Sequence, residues 1–242
     1  PLSNTQSVYI IQEAVEEFQV LAGGYTAEFG GSNSGIIRTE YKTGARDWHF
    51  SLDFQTDKFA DAEDGGTFLS TNSSGHHIGT GTVSGPLGTD KIRLFLAVEN
   101  TDQDDRRRRF SEGFNFTRID VNRSNPDVVA GHPDTVNLVY PDGFTPNSAF
   151  ERWATNGTLL FDYSPISFRV SGSWFNSKTF GNRNPQMNLL NTRNGYVNNQ
   201  SLLLSGKLTH VLNPKTFYNI TFSYFDREDE RRDTWFEGNW QD

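Results

Sequence analysis

The sequence contains no cysteine among its 242 residues. This absence excludes a disulfide framework, a cysteine-ligated metal and a cysteine nucleophile. There is also no run of about 18 apolar residues, so no transmembrane helix is predicted. The 22 basic residues are outnumbered by 30 acidic ones, which gives a net charge of −8. Proteins that bind nucleic acids are usually basic, and we therefore predict no nucleic-acid partner.

Catalytic motifs and long helical patterns are missing as well. The sequence has no Gly-x-Ser-x-Gly, no His-Glu-x-x-His and no phosphate-binding loop. We therefore predict that the protein is not an enzyme, and we assign no catalytic residue. The best helical candidate is residues 11–18, which could form about two turns. Residues 15–20 of the same segment also have the composition of a strand.

Most of the chain shows the period-two alternation of β-strands that have one apolar and one polar face. In the first such segment Trp48, Phe50, Leu52 and Phe54 alternate with His49, Ser51, Asp53 and Gln55. The same contrast recurs along the chain and predicts about seven strands, at residues 46–56, 76–85, 91–101, 151–163, 167–177, 200–212 and 215–227. The predicted fold class is therefore all-β, with antiparallel strands.

The connections between these strands alternate in length. Short turns are predicted at residues 85–90, 163–166 and 212–215, and long polar stretches at 57–75, 102–149 and 177–199. The stretch 102–149 shows no clear strand of its own. Long loops on one rim and short turns on the other are typical of outer-membrane barrels. A soluble β-sandwich or solenoid also alternates, but its connections are usually short, so the pattern favours the membrane barrel.

The N-terminal motifs resemble a known protein family. They are residues 13–20 (EAVEEFQV), 25–30 (YTAEFG), 34–37 (SGII) and 42–44 (KTG), followed by 81–87 (GTVSGPL) and 90–96 (DKIRLFL). The first four are similar to the end of the plug domain in TonB-dependent outer-membrane receptors, and most similar to the Oar-like group. The last two are similar to the second and third barrel strands of that group.

This resemblance implies two domains. Residues 1–44 would be the C-terminal part of an α+β plug domain, and residues 45–242 the N-terminal part of a large antiparallel transmembrane β-barrel. Barrels of this family have twenty-two strands, so we expect the native polypeptide to be much longer. The implied location is the outer membrane of a Gram-negative bacterium, with the long loops at the cell surface.

The function that the resemblance implies is import of a glycan, a peptide or a metal chelate across the outer membrane. The implied partners are the TonB-type inner-membrane energy-coupling complex, outer-membrane lipids and lipopolysaccharide, with a surface lipoprotein as a further candidate. Two alternatives stay open. One is a non-transporting outer-membrane adhesin or assembly protein on the same scaffold, and the other is a soluble β-sandwich that binds carbohydrate.

Two sets of site residues follow, the first from this resemblance and the second from the apolar faces of the predicted strands. A plug loop packed inside the barrel would contain Gly23, Gly24, Glu28, Gly30, Gly31 and Gly35. The side chains expected to face lipid are Phe50, Leu52, Phe161, Val170, Ile220 and Phe222. The plug motifs also depart from the family pattern, because Gly31 stands where a basic residue is common, and Arg38, Glu40 and Tyr41 stand where the strand is often apolar.

The outer loops hold the remaining candidates. Contacts with a ligand or with lipopolysaccharide are assigned to Arg106, Arg107, Arg108, Arg109, Trp235 and Trp240, because guanidinium groups bind phosphate and aromatic rings stack on sugars. A solvated charge run is the simpler alternative for the four arginines. Acidic outer loops such as 57–64 are oxygen-rich, as Ca²⁺ requires, but lack EF-hand spacing. We therefore predict no metal site and no cofactor, and Ca²⁺ in these outer loops stays open as the alternative.

Overall fold

A computed structural model describes residues 8–21, 36–58, 73, 75–105, 110–111, 114–120, 135–140, 143–144, 148–180 and 195–232. Its fold is all-β with antiparallel sheets, as the alternation predicts. Helical structure in these residues amounts to one 3₁₀ turn, Gln12–Ala14. None of the described helices is long and apolar enough to cross a membrane.

Thirteen strands follow one another along the described chain. They are β1 Val15–Leu21, β2 Ile36–Tyr41, β3 His49–Thr56, β4 His76–Pro86, β5 Ile92–Gln103, β6 Phe110–Ser111, β7 Phe114–Asp120, β8 Thr135–Tyr140, β9 Gly143–Phe144, β10 Phe150–Tyr163, β11 Ile166–Phe180, β12 Tyr196–Asn213 and β13 Thr216–Arg232. β1 and β2 form a two-stranded antiparallel sheet of their own.

Seven of the strands form one large antiparallel sheet, in the order β13-β12-β11-β10-β5-β4-β3. We call it the wall sheet. These are the seven strands that the alternation predicts, with ends that extend a few residues beyond the predicted bounds at most positions. Two-residue turns join β10 to β11 and β12 to β13, where short turns are predicted.

The wall sheet is built from long strands and has two open edges. β12 and β13 contain 18 and 17 residues, whereas strands of globular proteins usually have about 3–10. Within the part of the chain that the structure describes, no strand pairs with the outer edge of β3 or of β13, and the sheet does not close.

The prediction that residues 102–149 lack strands is wrong. β6 pairs with β9, and β7 pairs with β8, so the connection from β5 to β10 contains nested antiparallel pairs. β7 and β8 carry aromatic and β-branched residues that favour extended backbone. The surrounding polar, proline- and glycine-containing sequence obscures these short segments.

The helical candidate at residues 11–18 is reduced to the 3₁₀ turn. The chain becomes extended at Val15 and pairs along β1 with β2, from Leu21 opposite Ile36 to Val15 opposite Tyr41. β1 is rich in valine, phenylalanine and leucine. Its cross-strand hydrogen bonds therefore prevail over the weak helical pattern.

The register gives the wall sheet two different faces. The side chains of one face, here called the apolar face, include Phe50, Leu52, Phe54, Val83, Leu94, Leu96, Val98, Leu159, Phe161, Phe168, Val170, Trp174, Leu202, Leu204, Leu208, Ile220, Phe222 and Tyr224. The opposite face, the polar face, includes Ser51, Asp53, Thr80, Thr82, Glu99, Thr101, Arg152, Asn156, Thr158, Arg169, Ser171, Ser173, Ser205, Lys207, Thr221 and Ser223. The apolar face runs across all seven strands.

A small core forms where the N-terminal residues pack against the polar face. We call residues 8–21 and 36–44 the N-terminal block. Ile11 and Ala14 of this block are fully buried. They belong to one cluster with the buried wall residues Phe95, Ala97, Ala154 and Phe175. Small alanines at 97 and 154 leave room for the block to approach the sheet, and this contact creates the candidate site.

Candidate functional site

Buried hydrogen bonds fix the backbone of Tyr9 and Ile11 to the wall sheet. The amide of Ile11 donates to Oδ1 of Asn156 at 2.7 Å. The carbonyl of Tyr9 accepts from Oγ of Ser173 at 2.8 Å and from Nδ2 of Asn156 at 3.5 Å. Asn156 is fully buried. Because the block has no sheet pairing to β10 or β11, these side chains satisfy the backbone groups that it buries.

The Tyr9 side chain completes a polar cluster with Glu99 and Arg152. Its hydroxyl donates to Oε1 of Glu99 at 2.8 Å, and the same carboxylate oxygen lies 3.1 Å from an Arg152 nitrogen. The Arg152 guanidinium also lies over the Tyr9 ring, 3.6 Å from its centroid, and donates to Thr101. The cluster therefore joins an ion pair to a cation–π contact across the interface.

The Tyr9 hydroxyl is held in its neutral, donating form. Burial, followed by the hydrogen bond to Glu99, raises the pKa of Tyr9 from 10 to about 12. Because the folded protein favours the protonated phenol, this contribution to stability is complete below pH 10 and disappears as the pH rises through 12. The Tyr9 hydroxyl therefore stays protonated throughout the physiological pH range.

A second ionic contact links β2 to β11. Oε2 of Glu40 lies 3.3 Å from a nitrogen of Arg169, and Oε1 lies 2.6 Å from Arg38 of the same strand. Arg169 also donates to the carbonyl of Tyr41. The pKa of the Tyr41 hydroxyl is raised by burial, although a hydrogen bond with Ser173 acts in the opposite direction. Of the three residues at which β2 departs from the pattern of the family it resembles, Glu40 and Tyr41 contact the wall sheet, and Arg38 pairs with Glu40.

The chain leaves the N-terminal block at Gly44, very close to β5. A Cβ atom at Gly44 would lie 2.5 Å from the Leu94 nitrogen and 2.6 Å from the Arg93 carbonyl carbon. The Gly44 carbonyl accepts a hydrogen bond of 3.4 Å from Arg93, and the next amide, of Ala45, donates to Oγ of Ser84 at 2.8 Å. This close approach requires glycine.

We expect Gly44→Ala to weaken the attachment of the N-terminal block. The added methyl group meets backbone atoms, which cannot rotate away, so the cost should be about 1–3 kcal/mol. Guanidinium titration of the folded protein measures the loss in the free energy of unfolding. Gly79→Ala is the matched control, because a Cβ there meets Phe54 at 3.9 Å, an ordinary contact. Equal stabilities of the two variants would contradict the close packing at Gly44.

An open groove of about 590 Å³ lies beside β2, against the polar face of β11, β12 and β13. Its described lining includes three cationic side chains, Arg38, Arg169 and Lys207, and one carboxylate, Glu40. Hydroxyl groups of serine and threonine supply most of the remaining polar surface. The sequence alone does not predict this groove, because its two sides come from segments more than 120 residues apart.

The six residues predicted to face lipid all lie on the apolar face. Leu52 is 92% exposed and Phe50 is 73% exposed, and Ile220 and Phe222 are each more than half exposed. Phe161 and Val170 are half-buried by neighbouring side chains. At Gly206, the space that a Cβ would need is occupied by the Phe222 ring. Contact of these residues with lipid stays a prediction.

Other predicted site residues lie outside the described residues. They are Gly23, Gly24, Glu28, Gly30, Gly31 and Gly35 of the plug loop, and Arg106, Arg107, Arg108, Arg109, Trp235 and Trp240 of the outer loops. Within the ranges that are described, no group of three or more potential metal ligands is found.

The residues of the interface were not singled out from the sequence. The polar face contains Glu99, Arg152, Asn156 and Ser173, but it also contains many residues that have no partner in the N-terminal block. A signal was present in Glu99 and Arg152, because long charged side chains within strands usually need a partner where they are buried. The sequence does not show that Tyr9 is that partner.

No protein-family model matches this chain, and no curated protein or solved structure matches it either.

Proposed function

We propose that the chain is part of a TonB-dependent transporter in the outer membrane of a Gram-negative bacterium. In this proposal the wall sheet is a section of the barrel, with its apolar face in lipid. The N-terminal block is the end of the plug, attached to the inside of the barrel wall. The import of a glycan, a peptide or a metal chelate is the corresponding activity.

One observation carries this proposal: an unbroken apolar face opposite a polar face that binds the N-terminal block. Soluble monomers rarely expose an apolar patch larger than a few hundred Å², and here the apolar face covers seven strands. β4, β5 and β10 to β13 contain 11 to 18 residues. A membrane-spanning strand needs about 9–11 residues, so these six strands are long enough to cross the membrane, and β10 to β13 are long enough to extend beyond it. β3 is shorter, with 8 residues.

The proposal also accounts for the chemistry of the interface. A plug must stay inside its barrel, so its backbone groups need polar partners on the wall. Asn156 and Ser173 supply such partners, and the Glu99–Arg152 pair holds the Tyr9 side chain. When the energy-coupling complex pulls on the plug, these contacts hold the end that remains attached to the wall. No cofactor takes part.

The first test is the location and size of the native polypeptide. We expect it in the outer-membrane fraction, with a denatured mass of about 100 kDa, which is what twenty-two strands and a plug need. A folded barrel should also migrate differently on SDS gels before and after boiling. A water-soluble polypeptide near the chain's own 27.4 kDa would contradict the proposal and support the carbohydrate-binding alternative.

The second test separates transport from adhesion. Cells with and without the protein are offered labelled glycans, peptides and metal chelates, before and after the proton-motive force is dissipated. We expect one ligand class to enter only when both the protein and the proton-motive force are present. Surface binding that persists without energy and leads to no uptake would favour the adhesin.

A further inference from the structure

The groove beside β2 carries an excess of positive charge that the described contacts do not neutralise. Arg169 and Lys207 are direct cross-strand partners on the polar face, and like charges in this arrangement are destabilising. Glu40 pairs with Arg169 and Arg38. Among the described residues, no carboxylate pairs with Lys207. Three cations therefore share one carboxylate, which leaves two positive charges in the groove.

The groove has the further features of a small-ligand site. Its volume of about 590 Å³ falls within the range of about 300–1,000 Å³ that is typical of such sites. Nε of Arg169 is buried and has no hydrogen-bond partner among the described residues. The hydroxyls of Ser205 on β12 and of Thr221 on β13 also line the groove. They can donate hydrogen bonds to a ligand hydroxyl or accept hydrogen bonds from it.

We propose that this groove binds an anionic carbohydrate, with an acidic group of the sugar between Arg169 and Lys207. Guanidinium and ammonium groups form charge-assisted hydrogen bonds with carboxylate or phosphate oxygens. Ser205 and Thr221 bind the sugar hydroxyls, and Leu203 and Ile37 contact the apolar side of the ring. The claim that an anionic carbohydrate is the transported substrate rests on the proposed function. The claim that the groove binds such a carbohydrate does not.

The direct test is calorimetry on the native polypeptide in detergent, with a uronic-acid disaccharide as the probe. We expect the uronate to bind and its neutral, carboxyl-reduced counterpart to bind at least about tenfold more weakly, the effect of one charged hydrogen bond. Lys207→Gln should cause a similar loss, and Lys207→Arg should keep the affinity. Lys215→Gln, in the turn between β12 and β13, is the matched control and should change nothing.

Stability without ligand gives an independent readout. Because Lys207 faces Arg169 across the strands, Lys207→Gln should raise the Tm of the free protein while it weakens uronate binding. A Tm that does not rise would show that the groove is not under charge repulsion, and would overturn the proposal.

Three further outcomes would overturn the carbohydrate assignment. Equal binding of the uronate and its reduced form would remove the role of charge, and tight binding of inorganic phosphate alone would indicate a simple anion site. Stronger binding of an acidic hexapeptide than of the uronate would indicate a peptide site. If the protein lies in the outer membrane but binds no uronate, only the assignment of the groove as a carbohydrate site is wrong. If the protein binds uronate but is found outside the membrane, only the transport role is wrong.

Discussion

Arginine on the apolar face should destabilise the protein in lipid, by about 2–4 kcal/mol at the bilayer midplane and by less towards the interfaces. We expect a loss separately for Phe50→Arg, Phe161→Arg and Ile220→Arg, which lie on three different strands of the wall sheet. A guanidinium placed among lipid chains loses its hydration and finds no partner there. Guanidinium titration of the protein folded into vesicles measures the free energy of unfolding.

The matched control is Ser51→Arg, one residue from Phe50 and on the polar face. Ser51 makes a solvent-exposed hydrogen bond to Thr82, so its replacement should cost no more than about 1 kcal/mol. If the three apolar-face variants kept wild-type stability, the lipid face would be assigned wrongly. If Ser51→Arg cost as much as Phe50→Arg, the loss would reflect strand damage and not contact with lipid.

Glu99→Ala should loosen the N-terminal block and cost about 3 kcal/mol. The Glu99 and Arg152 side chains are 8% and 17% exposed, and removal of one partner from a buried ion pair leaves the other charge uncompensated. We place the cost at the low end of that class because Arg152 keeps its contacts with the Tyr9 ring and with Thr101. Titration of the variant in vesicles measures this cost.

Hydrogen exchange identifies where the stability is lost. The amides of Ile11 and Lys42, which donate to Asn156 and to the carbonyl of Ala14, should exchange faster in Glu99→Ala, while amides in the centre of β12 keep their rates. Glu99→Gln retains an acceptor for Tyr9 and should show a smaller effect. Glu151→Ala removes an exposed carboxylate beside Arg152 and is the control. Unchanged exchange at Ile11 in Glu99→Ala would show that the cluster does not hold the block.

The strands of the wall sheet could be predicted from the sequence because their alternation has a direct physical cause. A strand with lipid or core on one side and polar groups on the other must place apolar residues at every second position. β13 shows this with Tyr218, Ile220, Phe222 and Tyr224. β6 and β9 escaped prediction because strands of two residues carry no measurable period. β7 and β8 have 7 and 6 residues, and an irregularity between Phe116 and Ile119 interrupts the period of β7.

The candidate site could not be predicted in the same way. Tyr9 meets Glu99 across 90 residues, and Ile11 meets Asn156 across 145, so no local pattern records either contact. The alternation within each strand also leaves open which residue of β12 lies opposite Arg169, and the structure places Lys207 there. The sequence showed the polar face as a whole, and the structure shows which of its members bind the N-terminal block.

The most direct test of the lipid-facing assignment is spin-label accessibility along β3. The chain lacks cysteine, so each of the variants Phe50→Cys, Ser51→Cys, Leu52→Cys and Asp53→Cys carries one labelling site within it. In lipid vesicles we expect collision rates with oxygen to be high at residues 50 and 52, and those with a water-soluble nickel complex to be high at 51 and 53. High nickel accessibility at all four positions would show that the apolar face does not contact lipid, and would contradict the membrane assignment.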